Sequence, residues 1–184
     1  MWTIRHLGTA LLLVVGGAGL RGTAQTVTLS ALQVTVRQDT IPGATPHFEV
    51  DLHNVSAHRL MLELGTEQGS TDAVRLFVQE QGGPLLWLQK WSTSISHNLE
   101  PVYVPLAPGK VLRVPVTLSE YFTMETRDWK LHLQPGKRYA MFAEFQGEGL
   151  DPKVAAKLEG QGVHLEPYVV GAVRSPATWF VVAR

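Results

Sequence analysis

The chain has no cysteine. That single absence removes disulfides, thiolate zinc sites, cysteine nucleophiles and a lipidated N-terminal cysteine. A surplus of charge is missing too, since 16 Lys and Arg face 16 Asp and Glu. No basic field exists to draw nucleic acid or an anionic membrane, and neither is expected as a partner. Beyond the N-terminus no apolar run is long enough to span a bilayer. There is no Gly-x-Ser-x-Gly elbow to strain a nucleophile. Gly147-Glu148-Gly149 has neither the lysine nor the following helix of a phosphate loop. These absences argue against an enzyme, and no catalytic, cofactor-binding or metal-binding residue is assigned.

What is present begins with an export signal. Arg5 and His6 precede an apolar run from Leu7 to Leu20, and the small residues Gly22 and Ala24 follow. Charged, apolar and small residues in that order make a secretory signal peptide. The competing reading, a membrane anchor, is disfavoured because the run is short and interrupted by Gly16, Gly17 and Gly19. Cleavage before Gln25 divides the chain into a signal peptide, 1–24, and one domain, 25–184. The expected location is secreted or periplasmic, with no membrane insertion after cleavage. A domain of this length buries roughly 70% of the surface its unfolded chain exposes. Its core can therefore replace disulfides.

Within that domain the hydrophobic period is two. Phe48, Val50 and Leu52 alternate with Glu49 and Asp51; Leu60, Leu62 and Leu64 with Met61 and Glu63; Val74, Leu76 and Val78 with Arg75, Phe77 and Gln79; and Leu112, Val114, Val116 and Leu118 with Val111, Arg113, Pro115 and Thr117. Tyr139 to Phe145 and Ala177 to Val182 supply later strands, with Gly82-Gly83, Pro108-Gly109 and Pro135-Gly136 as turns. About eight short strands so punctuated predict an all-β, two-sheet antiparallel sandwich, or else a barrel. In the first strand the apolar phase changes between Ala31 and Leu32, which predicts a bulge or bend; the alternative is a strand buried on both faces. One short helix is expected from Pro152 through Lys157, with Asp151 as cap and Gly160 beyond its end, inside an insertion between the last strands.

The most specific segment is Leu133-Gln134-Pro135-Gly136-Lys137-Arg138-Tyr139. It resembles the turn into the sixth strand of fibronectin type III and related immunoglobulin-like domains, where Leu, Pro-Gly and Tyr form a tyrosine corner. The resemblance covers mainly residues 131–146 and the closing strand. It implies an immunoglobulin-like sandwich, a strand through Leu131 and Leu133, and a structural role for Leu133, Pro135, Gly136 and Tyr139. Leu106-Ala107-Pro108-Gly109-Lys110 ahead of a strand is similar to secreted bacterial proteins carrying such domains. The sequence departs from the pattern in having no Cys pair and a long insertion from Gly147 to Pro167.

Chemical candidates are sparse. His53 and His58 flank a turn at Asn54-Val55-Ser56-Ala57, but no third ligand stands at motif spacing, so surface histidines are the expectation. Asp51 reads as a solvated strand acid. Met61, Met124 and Met141 are too scattered for a copper site. Glu63, Glu80, Glu100 and Glu144 become a glycosidase pair only if the fold sets two of them at the required separation. Gly69-Ser70 and Ser92 to Ser96 read as loops, and Asn54-Val55-Ser56 matches the N-glycosylation pattern. Trp87 and Trp91 lie beside Leu85-Leu86 in a segment continuing through Ser-rich sequence to Tyr103. Trp87 reads first as a core tryptophan; alternatively Trp87, Trp91 and Tyr103 form a loop for sugar stacking or a protein partner. The expected function is a non-catalytic interaction or structural module of the cell envelope or extracellular space, with a protein or carbohydrate partner. The alternatives are a carbohydrate-binding or proteinase-inhibitor-like module acting through end loops, and an enzyme of unrecognised type.

Overall fold

A computed structural model describes residues 31–39, 46–65, 72–90, 102–126, 128–150, 152–161, 165 and 167–182. The described chain is an all-β antiparallel sandwich. Its strands are β1 (Leu32–Asp39), β2 (His47–Asn54), β3 (Leu60–Gly65), β4 (Val74–Glu80), β5 (Leu85–Lys90), β6 (Val102–Leu106), β7 (Val111–Thr117), β8 (Tyr121–Phe122), β9 (Arg138–Glu148), β10 (Val170–Arg174) and β11 (Thr178–Val181). One sheet runs β1-β2-β7. The larger runs β10-β9-β4-β5-β8, with β11 also paired to β9, and β3 with β6 forms a separate ribbon. The alternation seen in the sequence becomes alternating burial: Phe48, Val50 and Leu52 of β2 point inward while Glu49, Asp51 and His53 are half-exposed. The core joins these to Val34, Val114 and Val116 from their own sheet and to Leu76, Val78, Met141 and Phe145 from the other. Leu60, Leu62 and Leu64 extend it under the ribbon.

Asn54 welds the ribbon to the small sheet. It is fully buried, and its Nδ2 donates to the carbonyls of His58 and Leu106, both at 2.8 Å. Its Oδ1 accepts from the Ser56 amide at 2.9 Å and the Ser56 hydroxyl at 2.7 Å. A buried amide so fully paired stabilises the turn. The Asn54-Val55-Ser56 match is therefore no glycosylation site in the folded chain, because its nitrogen has neither exposure nor a spare hydrogen. At the outer edges Pro105 lies in β6 and Pro115 in β7. A proline donates no ladder hydrogen bond, which suits an edge and blocks further pairing.

The Pro-Gly turn behaves as its residues require. Gly136 adopts φ 78°, a left-handed conformation that costs glycine little. The Tyr139 hydroxyl accepts the Gln134 amide at 2.9 Å, while its buried ring stacks on Phe180 at 5.7 Å. Leu131 and Leu133 pack against the core but are not in a strand, which corrects that expectation. Ala31 and Leu32 are both buried, and the ladder starts at Leu32; residues 25–30, on which the bulge and its alternative turn, and the signal segment lie outside the described residues. Helix α1 (Pro152–Gly160) occupies the insertion. Around it Ala155, Leu150 and Tyr168 form a second apolar cluster with Met61 and Tyr103. The carbonyl of Pro167 accepts the Met61 amide at 2.9 Å, so the insertion covers the ribbon.

Candidate functional site

Residues directly opposite in an antiparallel ladder project from the same face. Phe77 of β4 stands opposite Trp87 of β5 and, on its other side, opposite Phe142 of β9. One pair further along, Gln79 lies between Leu85 and Ala140, and Ala140 in turn opposes Trp179 of β11. With neighbouring strands about 4.8 Å apart, the Trp87-Phe77-Phe142 row spans roughly 10 Å. All these residues are on the face turned away from the core. Trp87 is 44% exposed and Trp179 45%; Leu85 and Val181 on the same face are also exposed.

Arginines interleave the rings. The Arg174 guanidinium lies 5.0 Å from the Phe77 centroid and bonds the Glu144 carboxylate at 3.0 Å. Arg138 covers Trp179 at 4.6 Å. Flat cations over ring faces hold both partners in place without hiding the exposed edges. Other charges around the sheet are paired as well: Lys137 with Glu80 and Lys90 with Glu120, each at 2.9 Å. The free edge of β5 is guarded by Glu125, whose carboxylate takes a hydrogen bond from the Thr123 hydroxyl and another from the Trp87 amide. These bonds, that of Thr123 foremost, hold the Glu125 carboxyl below its ordinary value.

A cleft of about 330 Å³ opens where β4 and β5 end against β8. Trp87, Gln89 and Lys90 line it from β5, with Asp72, Arg75 and Tyr121. Burial raises the Tyr121 phenol, so it remains a hydroxyl. An adjoining cavity of about 150 Å³ shares Asp72 and Arg75 and continues to Glu63 and Glu148. Burial pushes the Glu63 carboxyl up, and the neighbouring Glu148 charge adds to the effect.

Several expectations are redrawn by this arrangement. Trp87 is not a core tryptophan between sheets; it stands on the outer face. Tyr103 is not its partner in a loop. It belongs to β6 and meets Tyr168 edge-on at 5.5 Å, while Trp91 lies outside the described residues. Asp51 is more than a solvated acid, since Arg37 reaches it at 2.8 Å. Among the four acids singled out, Glu80 and Glu144 are held in ion pairs, Glu63 lines the smaller cavity, and Glu100 lies outside the described residues. His53 is half-exposed and His58 exposed; among the described residues no group of three or more acids and histidines is placed to hold a metal ion. Of the methionines, Met141 is in the core and Met124 is exposed. Ser70 and Ser92 to Ser96 lie outside the described residues. Trp179, which reads from the sequence as core or edge packing, stands exposed on the outer face; Phe77 and Phe142 escaped sequence reasoning, although each is an aromatic on the off phase of an alternating strand. Such residues signal a sheet face covered or used by something else. Comparison with protein-family models, with curated proteins and with solved structures finds no match for this chain.

Proposed function

We propose that this chain is a non-catalytic interaction module, exported to the cell envelope or extracellular space, whose working surface is the outer face of the large sheet. One observation carries the reading: Trp87, Phe77, Phe142 and Trp179 line a solvent-facing sheet, interleaved with Arg174 and Arg138. Aromatic residues and arginine are the types enriched where proteins make contacts, because they combine large area with few freedoms to lose. The immunoglobulin-like likeness is supported by the Tyr139 hydroxyl bonded to Gln134 behind the Pro-Gly turn and by a three-stranded sheet facing a sheet centred on β9 and β4. Export rests on the order of residues from Arg5 to Ala24.

A photo-reactive phenylalanine analogue placed at position 87, 179 or 111 in the producing cell tests the surface. Val111 is equally exposed but belongs to the opposite sheet. Discrete adducts are expected from positions 87 and 179 and none from 111. Adducts from all three alike, or from none, overturn the assignment. Mass spectrometry of the same exported material should find a chain starting at or near Gln25, and an intact Met1 would refute export by cleavage.

A further inference from the structure

We infer that the cleft between Trp87 and Tyr121 binds a neutral glycan, a conclusion that rests on reading the chain as a binding module and names its ligand class. The lining imposes the chemistry. Trp87 offers an exposed ring as one wall, and Tyr121 contributes a second aromatic surface with a hydroxyl. A ligand pressed against these rings must present an apolar face. The rest of the lining is polar: Gln89 carries an amide, and Asp72, Arg75 and Lys90 carry charge. A purely apolar ligand would strip water from these groups without replacing its hydrogen bonds, which is costly.

Charged ligands gain nothing to offset their own desolvation. The two cations of the lining, Arg75 and Lys90, stand beside two carboxylates, Asp72 in the cleft and Glu120, which holds the Lys90 ammonium at 2.9 Å. The field over the cleft is near balance, and Lys90 is already engaged, so neither a phosphate nor a sulfate is selected. What satisfies both demands is a neutral molecule with an apolar CH face and a rim of hydroxyls, which is the chemistry of a sugar ring. The cleft of about 330 Å³ is at the lower end of ligand-sized sites. Because the adjoining cavity shares Asp72 and Arg75, the path continues past a single ring, and an oligosaccharide fits better than a monosaccharide.

The test titrates the mature chain with soluble neutral oligomers of hexose and of N-acetylhexosamine, with sulfated counterparts alongside, by calorimetry and tryptophan fluorescence. At least one neutral series should bind, with affinity rising from monomer to oligomer, while sulfation brings no gain. Trp87→Ala should weaken binding about tenfold or more, a typical cost for a stacking anchor. Trp87→Phe should restore most of it, and Val111→Ala, in the opposite sheet, should change it less than about twofold, with melting temperatures confirming that each variant is folded. Three results overturn the inference: no neutral series binds, binding ignores Trp87→Ala, or sulfated oligomers bind more tightly. The cross-linking pattern from positions 87 and 179 is read independently, so adducts with no glycan binding would leave the module reading standing and remove only its ligand.

Discussion

Tyr139 shows how one residue can hold a corner of a sandwich. Its hydroxyl accepts the Gln134 amide, and its ring is sealed against Phe180. Gln134 is exposed, so water can replace the lost acceptor when the hydroxyl is removed. Tyr139→Phe is therefore expected to cost only about 0.5–1.5 kcal/mol. Tyr139→Ala also forfeits the buried ring and should cost about 3–5 kcal/mol. Denaturant unfolding of both variants checks the order, and two variants matching wild type would show that the corner contributes nothing. This residue was legible in the sequence because the Pro-Gly turn sets its register locally. Asn54 was not, because two of its four partners, the His58 and Leu106 carbonyls, are supplied by a turn and by a strand far along the chain.

At the scale of elements, alternation found the strands whose one face is buried and missed those serving other ends. β5 was obscured because Leu85, Leu86, Trp87 and Leu88 run together without a polar phase; the outer Leu85 and Trp87 belong to the exposed face. β10 was missed because it follows closely on the stretch from Gly147 to Pro167 that reads as an insertion. It returns along β9 to Arg174, where the Ser175 hydroxyl takes the Ala143 amide at 3.0 Å before β11 resumes the ladder. The entry to β10 constrains Gly147 tightly. A Cβ built there would stand 2.0 Å from the Val169 carbonyl oxygen, so Gly147→Ala must push strand backbone apart. The expected cost is about 1–3 kcal/mol, the range for overpacked interiors, read as a lower denaturant midpoint with an unchanged slope. A midpoint equal to that of wild type would mean that Val169 does not pass over Gly147.

Over the whole molecule, the carboxyl facing the smaller cavity links stability to pH. Burial, reinforced by Glu148, raises Glu63 above its ordinary value, so the folded chain holds that proton more tightly than the unfolded chain does. Such a group contributes stability that is complete below the ordinary glutamate value and is lost as pH rises through the raised one. Glu63→Gln keeps a neutral side chain throughout. It should melt above wild type near neutrality and converge with it as pH falls below the ordinary carboxylate range. The lowered Glu125 carboxyl has the opposite trend, with its contribution lost on acidification, but it is common to both chains and cancels in their difference. Melting curves of the two across that range provide the check, and a constant offset would break the link to Glu63. The sequence by itself determined the strand period, the core phase and the Pro-Gly corner, because alternation and turn chemistry act between near neighbours. Only the tertiary structure decided that Trp87, Phe77, Phe142 and Trp179 share one solvent-facing surface and that Asp72, Arg75, Lys90 and Tyr121 surround one cleft. Strand order and register bring together residues that lie far apart along the chain, and no local pattern encodes which strands become neighbours.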